Sequence, residues 1–361
     1  MTLRLVGIGG LGLMMSPSAK HLKQDGPAQF LRIHDRGTKD ARRDACRASW
    51  EAHGAKPVPD FERLIGDGAF DGIVICAGKN GDDRQIIGSL VPLIKKSGKA
   101  PPFILHLSTV SAAFVQAAHA FLETQGIPYV NFPLTGGPLG AESATMLILA
   151  SGDPALYERL EPTLKAIGNP RFFGPGITTG AEVKLIGQVM VFNGLLGLTA
   201  AAALKAECFE EPLAGTEQTD FFEFLNKGAG GTRQWDVGLS KGVRDDVWDQ
   251  GFMIHHALVD ALYAAELCLE RGLPPFAVMS NVLVALSFAY LLEKYEGTGL
   301  ATHAVAREFL RKNAEDINTF VNRHVVYPDV RASIQNCIRA LPEKVRASVM
   351  LDMNPDSFVS A

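Results

Sequence analysis

The chain has 361 residues, of which 47% are hydrophobic, and it carries a formal charge of −4 at pH 7 with a pI near 6.2. This length predicts two domains, and the hydrophobic content is ample for packed cores. The slightly acidic balance provides no basic surface for nucleic acid, which excludes a nucleic-acid partner. Any anionic ligand must therefore be held by a local site.

The cysteines and apolar stretches indicate the compartment. The five cysteines are scattered and have no Cys-x-x-Cys or nearby histidine spacing, so we expect reduced thiols and no metal site. Arg4 is the only early charge, which argues against a signal peptide. Polar residues interrupt the apolar stretches at 185–204 and 276–292. We interpret both as buried core helices rather than membrane spans, and we expect a cytoplasmic protein.

A glycine-rich motif follows the first strand-like run, 3–6. Its spacing is that of dinucleotide-binding loops: Gly7 would permit a tight turn, Gly9 would let the backbone approach a pyrophosphate, and Gly12 would let a helix pack closely on the strand. The helix expected after the turn would offer N–H groups and its positive dipole end to the phosphates. The residues assigned here to cofactor binding are Gly7, Gly9, Gly10, Leu11 and Gly12.

The acid after the second strand-like run, 30–34, bears on the choice of cofactor. Asp35 lies 23 positions after Gly12, close to the roughly 20 expected for an acid that reads the ribose. A carboxylate there accepts hydrogen bonds from a 2′-hydroxyl and repels a 2′-phosphate, which favours NAD. The adjacent Arg36 would instead bind the phosphate of NADP, or would be a solvated turn residue beside Asp40. NADP therefore remains the alternative.

Strand-like runs recur along the first half of the chain with helix-length segments between them, which is the βαβ rhythm of a parallel sheet. After the turn at 174–176 the strand signals end, and a long apolar helix is expected from 181 to 206. We therefore predict an α/β fold, with a Rossmann-type domain at 1–175, an all-helical substrate and dimerisation domain at 176–330, and a C-terminal extension at 331–361. The runs are 3–6, 30–34, 72–76, 103–107, 129–132, 146–150 and 171–173.

Four motifs in order resemble those of the β-hydroxyacid dehydrogenase family, whose members include 3-hydroxyisobutyrate dehydrogenase and related aldehyde reductases. The resemblance spans about residues 3–275. It implies a nucleotide-binding domain, a long interdomain helix that carries the catalytic lysine, a helical second domain, and a homodimer or homotetramer. The motifs are residues 7–15, 108–109, 132–141 and 180–184.

The resemblance assigns chemistry to Lys184 and to a loop that begins at Thr135. Oxidising an alcohol removes a hydride from carbon and a proton from oxygen, and Lys184 is the expected proton acceptor if an apolar cleft favours its uncharged amine. The alternative is a lysine that reaches solvent or pairs with Glu182. Thr135, Gly136 and Gly137 would hold a substrate carboxylate through a hydroxyl and backbone N–H groups, unless they form an ordinary strand-to-helix turn.

Departures from the family pattern bear on the substrate. The family commonly has two asparagines after the lysine, where this chain has Gly187 and Gln188. A Lys-Asp pair of the family is Val259 and Asp260 here, so a cation is missing. Its loss implies weaker binding of a small 3-hydroxy acid, or a bulkier or less charged substrate. The remaining assignments are Ser108, Gln188 and Trp235 to substrate, and Ala77, Gly78, Thr109 and Asp260 to cofactor.

These features predict an oxidoreductase that transfers a hydride between NAD(P) and a small hydroxy acid or its aldehyde or keto form, with Lys184 as general acid and base. One alternative is an imine reductase or decarboxylating dehydrogenase of the same superfamily. Another is a dinucleotide-binding sensor without turnover, which would bind cofactor regardless of Lys184→Ala. The sequence does not identify the substrate, because one or two pocket side chains discriminate between similar acids.

Overall fold

The computed structural model describes residues 2–9, 12, 14–22, 26–34, 41–296 and 299–359, without the side chains of Ala41 and Arg42. The chain divides into two compact units. The first contains Met1–Lys184 and Met350–Ala361, and the second contains Leu185–Val349. Four residues assigned to the cofactor lie outside the described residues: Gly10, Leu11, Asp35 and Arg36.

A parallel sheet of six strands forms the centre of the described part of the first unit, in the order β3-β2-β1-β4-β5-β6. The order reverses between β1 and β4, as in doubly wound dinucleotide-binding folds. This confirms the predicted Rossmann-type sheet. The strands are β1 Leu3–Ile8, β2 Ala28–His34, β3 Lys56–Val58, β4 Gly72–Ile75, β5 Phe103–His106 and β6 Tyr129–Asn131.

Three further strands of the first unit form a separate small sheet. In it, β7 (Leu134–Thr135) runs antiparallel to β8 (Met146–Ala150), and β8 runs parallel to β9 (Gly168–Phe172). The prediction included β8 and β9 as later strands of the first domain but did not place them in a separate sheet. It missed β3 and β7, because strands of two or three residues are too short to show an alternating pattern.

Alternation along the strands divides the core of the first unit into two layers. Successive strand residues point to opposite faces of a sheet, so a parallel sheet covered on both faces reads as a continuous apolar run. Leu5 belongs to one apolar cluster and Val6 to the other, and Val74 and Ile73 are divided in the same way. All four side chains are buried.

The helices of the first unit begin mainly at capping residues. Asp60 and Ser111 accept hydrogen bonds from backbone N–H groups three residues ahead, the usual N-cap geometry. The helices are α1 Ala41–Ala52, α2 Phe61–Ile65, α3 Asn80–Lys96, α4 Ala112–Thr124, α5 Gly137–Glu142 and α6 Pro154–Ile167.

The element after the glycine motif differs from the prediction. The described residues there form a short 3-10 helix, Ser16–His21, where an α-helix was expected. Ser16, Pro17 and Ser18 are poor helix formers, because serine competes for backbone groups and proline lacks an N–H. The helix-dipole argument for phosphate binding therefore loses its support in this part of the chain.

The described part of the second unit consists of helices and loops, with an isolated antiparallel β-bridge between Met253 and Ala301. Its core contains α10 and α11, whose buried faces are almost entirely apolar. The division between the units falls inside α7, between Lys184 and Leu185, nine residues after the predicted boundary at 175. The helices are α7 Thr179–Phe209, α8 Thr216–Leu225, α9 Ser240–Asp245, α10 Ile254–Glu270, α11 Pro275–Lys294, α12 Ala314–His324, α13 Val330–Ala340 and α14 Glu343–Val349.

The residues predicted as a C-terminal extension are divided between the two units. Helices α13 and α14 belong to the second unit, whereas Met350–Ala361 belongs to the first. There Phe358 is buried between Phe114 and Phe121 of α4, with ring centroids 5.5 and 5.2 Å away. Arg84 of α3 also donates to the carbonyl oxygen of Ser357 (2.6 Å). Phe358 is thus an integral part of the first unit's core.

Two described helices, α7 and α11, are long and apolar enough to span a membrane by length and composition. The most apolar window of α11 is 67% buried, as expected for a core helix, whereas that of α7 is 39% buried. The difference shows that α7 exposes apolar side chains that the sequence interpretation had placed inside.

Candidate active site

Two loops meet where the strand order of the large sheet reverses. Gly9, directly after β1, has a φ of +80°, and a Cβ built there would lie 1.9 Å from the carbonyl oxygen of Cys76 after β4. Only glycine fits at this position. The N–H of Gly12 donates to the carbonyl oxygen of Gly9 (2.9 Å) and closes the turn. Gly7 instead lies within β1, where a Cβ would meet Ile33 at 2.7 Å, so its predicted turn role is wrong.

This geometry fits a dinucleotide. Open parallel sheets bind ligands outside the carboxyl ends of their strands, at the point where the order reverses. Gly9 lies at that point and presents backbone without a side chain, which permits close approach of a phosphate. The residues that would read the ribose, Asp35 and Arg36, are outside the described residues.

The loop after β4 supplies the other predicted cofactor residues, Ala77 and Gly78. The N–H of Ala77 donates to the hydroxyl oxygen of Ser108 (3.1 Å), and the N–H of Gly78 donates to Oδ1 of Asp83 (2.9 Å). Both N–H groups therefore have partners within the protein. The loop can form a wall of the site, but the N–H groups of Ala77 and Gly78 already donate hydrogen bonds to acceptors within the protein. Ser108 retains a hydroxyl proton to donate, and Thr109 beside it is partly exposed.

Beneath this loop lies a polar network that sequence reasoning missed. Nε2 of His106 is 2.8 Å from Oδ2 of Asp83, and Nδ1 of His106 is 2.9 Å from the hydroxyl of Tyr129. All three residues are buried. A histidine at the end of an apolar strand was the available signal, but spacing alone does not identify its partners on other elements.

The predicted anion loop connects β7 to α5. Gly136 and Gly137 have φ values of +123° and +67°, in the region that L side chains rarely adopt. Thr135 and both glycines are partly exposed, so the hydroxyl and backbone of the loop are accessible. The helix that follows has six residues, and the loop rather than a helix dipole is the feature that suits a carboxylate.

The start of α7 fixes the position of Lys184. The N–H of Gly180 donates to the hydroxyl of Ser151 (2.8 Å), and a Cβ at Gly180 would lie 2.4 Å from the carbonyl oxygen of Leu149. The first turn of α7 thus packs directly on the backbone at the end of β8. Lys184 follows one turn later and is 8% exposed. Glu182 accepts a hydrogen bond from Thr178 (3.0 Å).

The predicted residues of the second unit form separate contacts. Nε2 of Gln188 donates to Oδ2 of Asp260 (2.5 Å), and both side chains are buried. The structure thus links a residue assigned to substrate with one assigned to cofactor. Trp235 is buried and stacks on Phe222 at 5.5 Å, so its ring is used in packing rather than exposed to a ligand. A Cβ at Gly187 would meet nothing within 4 Å.

Comparison with known proteins supports a dinucleotide-binding domain in the first half of the chain. The sequence profile of the NAD binding domain of 6-phosphogluconate dehydrogenase matches residues 5–186, about half of the chain. An uncharacterized oxidoreductase of Synechocystis sp. is 27% identical over 79% of this chain and 93% of its own length. The 2-(hydroxymethyl)glutarate dehydrogenase of Eubacterium barkeri is 22% identical over 76% of this chain and 86% of its own length.

A solved structure has the same fold. The 3-hydroxyisobutyrate dehydrogenase of Salmonella typhimurium superposes with a TM-score of 0.69 at 20% identity, over 84% of this chain and 99% of that one. Together, the profile match, the oxidoreductase relatives and the doubly wound sheet agree with the resemblance in the motifs. The chain belongs to the family of the 6-phosphogluconate dehydrogenase NAD binding domain, and it is an NAD(P)-dependent oxidoreductase of the β-hydroxyacid dehydrogenase type.

Proposed function

We propose that the protein interconverts a small hydroxy acid with its aldehyde or keto form, with Lys184 as general acid and base. The observation that carries this proposal is the burial of Lys184 on a helix whose start is locked to the backbone of β8. A buried amine held at a fixed position can accept and return a proton at one defined point of the site.

Bound NAD(P) supplies the hydride acceptor for oxidation and, when reduced, the hydride donor. In the oxidation, the uncharged amine of Lys184 takes the proton of the substrate hydroxyl as the hydride leaves the same carbon. In the reduction, the ammonium of Lys184 returns a proton to the carbonyl oxygen. Thr135 and the two glycines after it hold the substrate carboxylate through a hydroxyl and backbone N–H groups.

The second unit supports a substrate that is bulkier or less charged than 3-hydroxyisobutyrate. Gly187 follows Lys184 by three residues on α7, so helical spacing places both on the same face. The space around its Cα is open, and glycine in a helix interior costs about 1 kcal/mol relative to alanine. Val259 stands where the family has a cation, and its neighbour Asp260 accepts a hydrogen bond from the amide of Gln188 (2.5 Å). Asp35 favours NAD over NADP as the cofactor.

We also propose a homodimer or homotetramer in which α7 forms a subunit contact. Ile186, Met190 and Leu204 are 58%, 74% and 64% exposed, and they recur with a spacing that places them in one stripe along α7. Asn193, Gly197 and Ala200 continue this stripe with small or neutral side chains. An apolar stripe of this length on a soluble protein is typical of a surface that another chain covers.

A coupled assay tests the catalytic proposal. Absorbance of the reduced cofactor would be followed over a panel of hydroxy acids and their aldehyde or keto forms, with NAD and NADP in parallel. We expect Lys184→Ala to lower kcat by about 10²- to 10⁴-fold while the cofactor Kd stays unchanged. Lys205→Ala, which removes a second buried lysine of α7, is the matched control and should retain turnover. Unchanged turnover in Lys184→Ala would contradict the assignment, and cofactor binding without turnover on any substrate would favour the sensor.

A further inference from the structure

The loop at 76–78, after β4, forms the wall of the cofactor site. A chain of hydrogen bonds through α3, β5 and β6 anchors this wall from the side of the sheet. Asp83 on α3 contacts the N–H of Gly78 with one carboxylate oxygen and His106 with the other, at 2.9 and 2.8 Å. His106 ends β5, and its second ring nitrogen contacts Tyr129, the first residue of β6 (2.9 Å). The side chains of Asp83 and His106 are completely buried.

The direction of these hydrogen bonds follows from Asp83, whose carboxylate can only accept, so Nε2 of His106 carries the ring proton. With the ring proton on Nε2, Nδ1 is the acceptor for the hydroxyl of Tyr129. Burial, with a smaller contribution from the charge of Asp83, raises the pKa of that hydroxyl well above its usual value, so it keeps the proton that it donates. The Nε2 proton is donated to Asp83, whose other oxygen accepts from Gly78. Every donor in the chain thus faces an acceptor, as buried polar groups require.

The position of Gly78 matters because the wall touches the glycine turn. The backbone of Gly9 already lies against the carbonyl of Cys76, and a Cβ at Gly78 would lie 2.3 Å from the Cβ of Asp82. Both glycines therefore pack so closely on their neighbours that the wall has little room to move toward β1 or toward α3. The remaining freedom is movement away from the sheet, and the carboxylate of Asp83 opposes that movement by holding the Gly78 N–H.

We propose that Asp83, His106 and Tyr129 are positioning residues that hold the wall at 76–78 in place and thereby set the affinity for the dinucleotide. They act through the backbone of the loop and do not touch the substrate. The inference rests on dinucleotide binding at this edge of the sheet, and it is independent of which substrate is used.

The test is a fluorescence titration of the full-length protein with NADH and NADPH, together with thermal melting. Asp83→Asn should raise the Kd about tenfold or more, because one acceptor that holds two donors is replaced by an amide. Tyr129→Phe should raise the Kd about threefold to tenfold, since it removes only the last link. With saturating cofactor, kcat should stay within about twofold of the wild type in both variants.

Glu308→Gln is the matched control. Glu308 is also a completely buried carboxylate that accepts two hydrogen bonds, from Lys294 and Tyr295, both at 2.8 Å, but it lies in the second unit. It should lower the melting temperature and leave the cofactor Kd unchanged. If Asp83→Asn does not fold, Tyr129→Phe decides. A wild-type cofactor Kd in both Asp83→Asn and Tyr129→Phe would overturn the inference. An equal rise of the cofactor Kd in Glu308→Gln would overturn it as well.

The outcome separates this inference from the proposed function. The expected Kd pattern without turnover on any hydroxy acid would support the positioning role and contradict the substrate proposal. A wild-type protein that binds neither reduced cofactor would overturn both.

Discussion

Gly9 is the residue through which the two loops of the cofactor site meet. Its positive φ and its contact with the backbone of Cys76 are separate constraints, and alanine violates both. A backbone oxygen cannot move aside as a flexible side chain can. A substitution at Gly9 is therefore expected to change both the stability of the first unit and the shape of the loops that would bind the cofactor.

We expect Gly9→Ala to lower the free energy of unfolding by about 2–4 kcal/mol and to weaken NADH binding, because the turn must open to admit a Cβ. Urea denaturation and NADH titration measure the two effects. Gly98→Ala is the control, since Gly98 has a φ of +64° but open space around it, and it should cost only about 1–2 kcal/mol and leave the Kd unchanged. Equal effects of the two substitutions would show that the contact with Cys76 is unimportant.

At the scale of the elements, the C-terminal segment from Met350 belongs to the first unit, although the whole second unit separates it from the rest of the first unit in sequence. Asn80, at the start of α3, donates to the carbonyl oxygen of Met350 (2.8 Å) and to the hydroxyl of Ser111 (2.8 Å), the N-cap of α4. Phe358 closes the core between two rings of α4. The segment 350–358 thus ties together α3 and α4.

We expect Phe358→Ala to lower the free energy of unfolding by about 3–5 kcal/mol, because it leaves a cavity beside Phe114 and Phe121. Thermal or urea denaturation would show the loss. Val359→Ala, at an exposed neighbour, should change stability by less than about 0.5 kcal/mol. A loss below about 1 kcal/mol in Phe358→Ala would mean that the segment is not packed as described.

The exposed stripe of α7 leads to a prediction about assembly. Met190→Glu combined with Leu204→Glu should shift the protein to a smaller species in analytical ultracentrifugation, because two charges would be buried at the contact without partners. Phe276→Glu, at an equally exposed site of α11, is the control and should leave the sedimentation unchanged. If the double variant sediments like the wild type, α7 is not a subunit contact.

At the scale of the whole molecule, a buried thiol makes folding sensitive to alkaline pH. Burial raises the pKa of Cys337 from 9.0 to about 12. The unfolded chain therefore loses this proton at a lower pH than the folded chain does. The contribution to stability is intact below about pH 9 and is lost as the pH rises toward 12.

Between pH 8 and 10.5 we expect the wild type to lose about 2 kcal/mol more unfolding free energy than Cys337→Ala does, as measured by urea denaturation. Both proteins share the titration of all other groups, so the difference between their slopes of unfolding free energy against pH comes from Cys337. Cys208→Ala, at an exposed thiol, should retain the wild-type slope. An identical pH dependence in Cys337→Ala would show that this thiol is accessible to solvent.

The sequence determined the local features of this protein. Predominantly apolar runs identified β1, β2, β4, β5 and β6, because buried parallel strands need little polar surface. Glycine spacing identified the turn at Gly9. Four ordered motifs identified the family, and they predict the role of Lys184. These signals lie within one element or one loop, so they can be read from neighbouring residues.

The tertiary structure alone decided which distant residues meet. Asp83, His106 and Tyr129 are 23 positions apart in succession and join only because β5 and β6 pair beside α3. Phe358 reaches α4 across more than 200 residues of chain. The link between Gln188 and Asp260 joins a residue that departs from the family pattern to one that follows it, in one buried pair. Such contacts depend on how elements pack, and a spacing pattern in one chain carries no information about them.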